Sequence, residues 1–181
     1  MNSDPIFPSR KAIRLSDYDY SQPGMYFVTL LTYQRQKMFC EIHDGKVSWS
    51  RFGSVAKDAW LDLSVYYSNL VLDEFCIMPD HLHAIIRLME VCKGGSTDNS
   101  QRVMRTAETR PDDLKSLTEI IREYKSFTAR KINAMRGTTG TPIWHRSYHD
   151  HIIRDEVELN QIRQYIIENP LKWELEKENP G

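Results

Sequence analysis

The sequence predicts an α+β sandwich, in which one mainly antiparallel sheet carries helices on a face. Two observations support this fold class: strand-like runs occur in neighbouring pairs, and segments with helical periodicity separate the pairs. Paired strands favour hairpins, whereas regular alternation of strands and helices would favour a parallel sheet. The predicted order is β, hairpin, α, β, β, α, β, α. We divide the chain into an arm (1–22), one domain (23–175) and a polar tail (176–181).

The first half of the domain predicts three strands, a hairpin and a helix. Residues 25–33 (MYFVTLLTY) are aromatic and β-branched and follow Pro23-Gly24, which is typical of a strand. Asp44-Gly45 separates two short strand-like runs and predicts a hairpin turn. Residues 54–67 carry apolar side chains at helical spacing. Residues 70–88 predict two strands, which a Met-Pro-Asp turn separates.

The second half predicts a loop, two helices and one more strand. Residues 90–112 are polar and without periodicity, which indicates a loop, and an apolar stripe over 113–135 predicts a helix. Residues 142–154 have strand character. Asp155, with Glu158 three residues later, matches a capping box and predicts the start of the last helix. Pro170 predicts its end, because the residue before proline is pushed out of the helical region.

The amino-acid composition indicates the subcellular compartment in which we expect the protein. The N-terminal segment has no apolar run typical of a secretory signal, and no stretch reaches the roughly 18 apolar residues of a membrane span. Three cysteines without a C-x-x-C pair fit a reducing compartment and argue against a thiolate zinc site. We therefore expect a cytoplasmic protein that does not associate with a membrane.

Charge is unevenly distributed along a chain whose net charge is -1. Residues 101–146 hold ten Lys or Arg against five Asp or Glu, while residues 155–178 hold seven acidic residues against three basic ones. This asymmetry would allow a local anion-binding face on a neutral protein. A solvated helix face followed by an acidic segment explains the pattern equally well.

The stretch "DHLHAIIRL" places two histidines on one side of a strand. At period two, Leu82 and Ala84 belong to an apolar face, while His81 and His83 share the other. Two imidazoles on one face can bind one divalent ion if a third ligand comes from elsewhere. A bare H-x-H is more often a pair of partly exposed histidines. A histidine-triad phosphate site is disfavoured, because Ile85 stands where that site needs another histidine.

The last helix can supply the third ligand. Tyr165 and Asn169 are four residues apart and share a helical face with Gln161. The apolar residues Leu159, Ile162 and Ile166 form an adjacent stripe that would anchor the helix. A carboxamide oxygen can complete a site with two histidines. Alone, however, a helical tyrosine usually packs, and Asn before Pro is common at helix ends.

Three blocks together carry a family resemblance. "MPDHLHAI", "IWHRSYHDHIIRD" and "IRQYIIENPLKW" resemble, in this order, the signature blocks of the REP-associated tyrosine transposases, and His81-Leu82-His83 matches the His–hydrophobe–His motif of HUH endonucleases. The similarity runs from about "DYDYSQPGMYFVTL" to "NPLKW". It implies a ferredoxin-like core with the histidine strand at the sheet centre, and a catalytic domain over 23–175.

The resemblance also implies an activity and its residues. The family cleaves and rejoins single-stranded DNA near hairpins through a covalent 5′-phosphotyrosine intermediate. Carried over residue by residue, Tyr165 is the nucleophile, and His81, His83 and Asn169 hold Mg²⁺ or Mn²⁺. The protein would then act as a transposase near the nucleoid, as a monomer or a homodimer.

Two positions depart from the family pattern. Relatives often carry Asn where this chain has Asp80, whose carboxylate would add negative charge beside the metal and the DNA. His149 forms a second H-x-H with the family-typical His151. Because Asp150 breaks the hydrophobe pattern between them, we favour a structural or DNA-contacting role over a second metal site.

Further residues are expected to contact DNA. The basic helix would bind the DNA phosphates. Trp144 or Tyr148 would stack on unpaired bases. A basic arm would recognise the hairpin. Core packing is an equally good explanation of the two aromatic residues. The expected DNA-binding set is Arg122, Lys125, Arg130, Lys131, Trp144, Arg146 and His151, with Arg10, Lys11 and Arg14 in the arm.

Two other functions compete with transposition. A domesticated protein could recognise DNA hairpins without mobilising DNA, although the intact His, His, Tyr and Asn set disfavours complete loss of chemistry. A metal-dependent phosphoesterase for small molecules would leave Tyr165 structural. The basic segment and the tyrosine helix weigh against that second alternative.

Overall fold

The computed structural model describes residues 19–90 and 115–178. Within them the chain forms an α+β sandwich, as the sequence predicts. The polar loop over 90–112 and the basic arm lie almost wholly outside the described residues. The elements, in order, are β1 (Gly24–Leu31), a 3₁₀ turn (Tyr33–Arg35), β2 (Cys40–His43), β3 (Lys46–Trp49), α1 (Arg51–Leu61), α2 (Leu63–Tyr66), β4 (Leu70–Met78), β5 (His81–Leu88), α3 (Leu117–Arg136), β6 (His149–Ile153) and α4 (Glu156–Glu178).

The main sheet has the order β4-β5-β1-β6, and all of its neighbouring strands are antiparallel. The histidine strand β5 is therefore an interior strand, as expected. Alternate side chains of the sheet enter two different cores. One face packs against α1 and α3, and the other packs against the apolar stripe of α4. The sheet thus separates α3 from α4.

The predicted hairpin is confirmed, with β2 and β3 paired in antiparallel register. Its two turn residues, Asp44 and Gly45, both have positive φ, of 51° and 67°. Positive φ at both central positions is the geometry of a type I′ turn, which matches the twist of the flanking strands. The hairpin forms a separate two-stranded sheet beside the main one.

The end of α4 corrects a prediction: the helix does not stop at Pro170 but continues to Glu178. A proline inside a helix lacks the N–H for one helical hydrogen bond. Tertiary contacts beyond Pro170 offset that loss. The Glu174 carboxylate accepts hydrogen bonds from the backbone N–H groups of Asp44 (3.0 Å) and Gly45 (2.7 Å). The segment expected to be a polar tail is thus partly the end of this helix.

Two smaller predictions are also revised. The expected strand over 142–154 is shorter, because β6 begins at His149 and residue Trp144 forms only an isolated bridge with Thr32. The predicted capping box at Asp155 forms in half: the Asp155 carboxylate accepts from the Glu158 N–H at 2.9 Å. The Glu158 side chain accepts instead from the Arg154 N–H and contacts His151.

None of the helices in the described part of the chain is long and apolar enough to cross a membrane.

The start of α1 tolerates no side chain at Gly53. A Cβ at this position would lie 1.9 Å from the carbonyl oxygen of Phe39. Because both groups belong to backbone in a packed core, we expect Gly53→Ala to lower the free energy of unfolding by about 3 kcal/mol or more. Urea denaturation would measure the loss, with Asp58→Ala on the exposed side of α1 as control. Equal stability of the two variants would contradict the close approach.

Candidate active site

The two histidines lie on the face of β5 that meets α4. His81 and His83 are 5% and 7% exposed, and their ring centroids are 4.5 Å apart. Leu82 and Ala84 face the other core, as the period-two pattern predicts. Burial of two adjacent imidazoles is unusual for a purely structural strand, because each ring nitrogen needs a polar partner.

One nitrogen of each histidine is held by a neighbouring side chain. Nδ1 of His81 lies 2.6 Å from an Asp80 carboxylate oxygen, and Nδ1 of His83 lies 2.9 Å from the Thr29 hydroxyl. Such contacts fix the ring orientation and leave Nε2 to act towards α4. Histidines that bind metal ions are oriented in this way, with the second nitrogen held by a carboxylate or another polar group.

The environment favours the neutral form of His83. Burial lowers its pKa well below the usual value, and the charges of His81 and Arg35 lower the pKa further. A buried imidazolium would have to give up its hydration, which explains the direction of the shift. A neutral imidazole is the form that donates a lone pair to a metal ion.

The last helix brings its polar face to these histidines. The Tyr165 ring lies 5.3 Å from the His83 ring, and its hydroxyl oxygen is 3.4 Å from His83 Nε2. Two turns later, the Trp173 ring lies 5.8 Å from His81. Asn169 is midway between Tyr165 and Trp173 on the same helical face and is 8% exposed. The structure therefore brings together His81, His83 and Tyr165, and Asn169 lies one turn after the tyrosine on the same helical face.

Trp173 was missed by the sequence analysis. The prediction that α4 ends at Pro170 removed this residue from the helical face of Tyr165 and Asn169. Its spacing of four residues from Asn169 was the signal that could have identified it. In the structure its ring also lies under the Lys37 ammonium group, 5.5 Å from the ring centroid.

Two charged residues of α4 flank the tyrosine. The Lys172 ammonium group lies 5.6 Å from the centre of the Tyr165 ring and 2.9 Å from the Glu168 carboxylate. Both residues line a shallow groove of about 600 Å³ on the surface of α4, together with Val157, Asn160, Gln161, Gln164 and Tyr165. The tyrosine is therefore accessible from this groove, with a cation beside its ring.

The candidate donor set combines imidazole nitrogens with an amide oxygen. Among the described residues, no cluster of three or more His, Cys, Asp or Glu side chains forms, so a third ligand beside the two histidines would have to be another kind of side chain, such as the carboxamide of Asn169. Two imidazoles and an amide oxygen would leave coordination positions open for water or phosphate oxygens. Imidazole ligands suit transition-metal ions, whereas the amide and phosphate oxygens suit Mg²⁺ and Mn²⁺.

The basic helix does not line this site. Arg122, Arg130 and Lys131 are exposed residues of α3, which packs against the sheet face opposite to the histidines. Lys125 is used structurally, because its ammonium group donates to the carbonyl oxygens of His145 (2.6 Å) and Arg146 (3.0 Å). DNA that contacted α3 as well as Tyr165 would have to cross an edge of the sheet.

The aromatic residues Trp144 and Tyr148 of the second block lie in the core, which contradicts the expected stacking on bases. Trp144 is 6% exposed and its indole N–H donates to Thr128 Oγ1 at 2.9 Å. Tyr148 is equally buried at 6%. A ring enclosed in this way offers no face to a nucleotide. The alternative that the sequence analysis left open, core packing, describes both residues.

The remaining predicted contacts lie around β6. Arg146 is exposed on the loop before this strand. His151 Nε2 lies 2.6 Å from the Glu158 carboxylate, which ties β6 to the start of α4. His149 pairs with Thr29 in the sheet and belongs to the same face as His83, at the sheet edge. No second metal cluster forms around His149 within the described residues.

Two curated proteins are similar in sequence to most of this chain. No family model matches the chain. An uncharacterised protein of Haemophilus influenzae is 30% identical over 168 residues, which cover 93% of this chain and 92% of that relative. A second protein of the same organism, described provisionally as a REP-associated tyrosine transposase, is 24% identical over 160 residues, covering 87% of this chain and 77% of the relative.

The resemblance to the REP-associated tyrosine transposases is thereby confirmed. The solved structure of a REP-associated tyrosine transposase bound to a REP hairpin shares the fold of this chain, with a TM-score of 0.55 and 18% identity over 87% of this chain and 74% of that one. Both similarities agree with the resemblance that the three sequence blocks carry.

Proposed function

We propose that this transposase-family protein cleaves and rejoins single-stranded DNA next to a hairpin, and that Tyr165 forms a covalent 5′-phosphotyrosine intermediate. One observation carries the proposal: the Tyr165 hydroxyl lies 3.4 Å from Nε2 of a buried histidine whose other nitrogen is already held. A tyrosine with only a packing role has no need of a polar hydroxyl contact on a groove surface.

The reaction proposed for Tyr165 is a transesterification at phosphorus. The phenol oxygen forms a bond to phosphorus while the bond from phosphorus to the 3′ oxygen breaks. The phenol loses one proton and the leaving 3′ oxygen gains one, so atoms and charge balance. Because the phosphotyrosine ester retains the diester bond energy, a 3′ hydroxyl can attack it later and reseal a strand.

The residues around Tyr165 prepare it for this attack. A free phenol has a pKa of about 10, so the hydroxyl must lose its proton as it attacks. The Lys172 ammonium group lies beside the ring, where it is paired with the Glu168 carboxylate. Phe27 packs edge-on against the Tyr165 ring at 6.2 Å and holds its position. The chain thereby orients the phenol oxygen towards His83.

A divalent ion would be held by His81, His83 and Asn169, and we propose Mg²⁺ or Mn²⁺. When bound, such an ion acts as a Lewis acid on the scissile phosphate. Asp80 and Thr29 keep the two imidazoles turned towards α4. The helix that carries the nucleophile also carries the amide ligand, which couples the position of one to that of the other.

The proposed DNA partner rests on two further points. A solved structure of the same fold is bound to a REP hairpin. In this chain, the tyrosine opens onto a groove lined by amide side chains and Lys172, which can bind an unpaired, charged strand. A hairpin with single-stranded flanks offers both a structured element and such a strand.

Adduct formation on DNA tests the proposal. Purified protein is incubated with end-labelled hairpin oligonucleotides that carry randomised single-stranded flanks, with Mn²⁺, with Mg²⁺ or with excess chelator. We expect a band that resists denaturation in SDS in the presence of either ion and its loss in chelator. Sequencing the captured strands gives the cleavage position.

Two outcomes would contradict the proposal. Tight hairpin binding without any adduct would instead support a DNA-binding protein that lacks transposition chemistry. Turnover of small phosphodiesters without an adduct would support the phosphoesterase alternative. Fully paired duplexes of the same composition serve as the substrate control.

A further inference from the structure

The turn after β1 has an unusual backbone. Gln34 and Arg35 are consecutive non-glycine residues with positive φ, of 53° and 55°. The left-handed region costs roughly 1–2 kcal/mol for each residue with a Cβ atom. Paired outliers of this kind persist where surrounding contacts hold them, and they cluster at functional sites.

Several of the contacts that hold this turn lead to the corner before the histidine strand. Thr32 donates from its backbone N–H and its hydroxyl to the Asp80 carbonyl oxygen, at 2.9 and 3.0 Å. The Met38 N–H donates to the Pro79 carbonyl oxygen at 2.8 Å. The turn is therefore fastened on both sides to the Pro79-Asp80 corner, directly before His81.

The strained turn delivers Arg35 to Asp80. Arg35 Nε lies 3.1 Å from one carboxylate oxygen of Asp80, while the other oxygen contacts His81 Nδ1 at 2.6 Å. The Asp80 side chain is only 4% exposed, but that of Arg35 is 52% exposed. A buried carboxylate thus orients a histidine and a guanidinium group at the same time, and the guanidinium group reaches the surface.

A second ion pair, between Arg163 and Asp73, offers a comparison with the contact between Arg35 and Asp80. Arg163 donates from Nε and NH2 to the two oxygens of Asp73, at 2.8 and 2.6 Å. Asp80 instead contacts Arg35 Nε through one oxygen, while its other oxygen lies against His81. The guanidinium group of Arg35 therefore lies against the carboxylate that orients His81.

We propose that Arg35 is a phosphate-binding residue of the active site, which grips a non-bridging oxygen of the scissile phosphate. This inference rests on the proposed function and adds a residue to it. The planar guanidinium fork fits phosphate oxygens, and an arginine is always charged. As Tyr165 attacks, negative charge grows on those oxygens, and a cation fixed in advance stabilises it.

The same arrangement gives Asp80 a role. Its carboxylate accepts from Arg35 and contacts His81. An asparagine at this position would present an amide NH₂ group to one of these partners. If that group faced Arg35, two donors would meet. The negative charge of Asp80 does not repel the DNA uncompensated, because the guanidinium group of Arg35 lies against it.

A binding cycle tests the role of Arg35 without relying on activity. The wild-type adduct first identifies the cleaved phosphate. Binding is then measured in the Tyr165→Phe background, with Mn²⁺, for the normal oligonucleotide and for one with a neutral methylphosphonate at that phosphate. We expect Arg35→Gln to weaken binding of the normal strand about tenfold or more and binding of the methylphosphonate strand less than twofold. Gln34→Ala, which keeps a Cβ in the turn, controls for changes of its backbone.

The outcomes separate this inference from the proposed function. Equal weakening of both oligonucleotides by Arg35→Gln would show a structural role and overturn the assignment. No effect on either would overturn it as well. Mn²⁺ affinity without DNA should be retained by Arg35→Gln. Failure of the wild-type protein to form any adduct would remove the proposed function itself, and with it this role of Arg35.

Discussion

Tyr165→Phe is expected to form no covalent adduct with a hairpin-bearing single strand, because phenylalanine has no oxygen with which to bond phosphorus. DNA affinity should change by less than about tenfold, since one hydroxyl contributes at most one hydrogen bond of roughly 0.5–1.5 kcal/mol. Denaturing gels of labelled DNA measure the adduct, and fluorescence anisotropy measures the affinity. The ring contacts with His83 and Phe27 are retained in the variant, so the fold should be unchanged.

Tyr66→Phe is the matched control for this substitution. Tyr66 is 70% exposed at the end of α2, on the other side of the sheet, and its loss of a hydroxyl should leave the adduct yield at the wild-type level. An adduct that persists at full yield in Tyr165→Phe would reassign the nucleophile. Peptide mapping of the DNA-linked fragment would then identify the residue that carries it.

His83→Ala should lower the rate of adduct formation in Mn²⁺ by about a thousandfold, because loss of one of three ligands removes several kcal/mol of electrostatic stabilisation. Calorimetric titration with Mn²⁺ alone should show the matching loss of metal affinity. Hairpin binding in chelator should stay near the wild-type value, since it does not depend on the ion. This combination distinguishes a metal ligand from a residue that merely supports the fold.

His43→Ala is the corresponding control, because the side chain of His43 is 76% exposed on the β2–β3 hairpin. It should keep both Mn²⁺ affinity and adduct rate. Unchanged Mn²⁺ binding by His83→Ala, in a protein that remains folded, would remove His83 from the ligand set. A wild-type protein that cleaves fully in excess chelator would refute the need for a metal altogether.

The sequence predicted the fold class, the interior position of the histidine strand and the proximity of Tyr165 to the two histidines. These predictions rest on local patterns: period two in β5 separates His83 from Leu82, and a spacing of four aligns Tyr165 with Asn169. Such patterns remain visible because each element buries one face. The side of the sheet on which a helix packs leaves no comparable local signal, so the separation of α3 from the site was not foreseen.

Other features depend on contacts between distant parts of the chain. Pro170 is a helix breaker by local rules, and only the contacts of Trp173 with His81 and of Glu174 with the hairpin turn explain why α4 continues. Arg35 lies in a polar segment with no motif of its own. Its proximity to Asp80 arises from a left-handed turn that few sequences of this composition would adopt. Neither feature could be predicted from its own neighbourhood.

The helix α4 is attached to its own chain at both of its ends. Its first turn is tied to β6 through Glu158 and His151, and its last turns are tied to the β2–β3 hairpin through Glu174. Release of α4 from its own chain would break both of these attachments. In this structure α4 packs Tyr165 against His83 of the same chain, so exchange of the helix between two molecules would first cost the contacts at both of its ends.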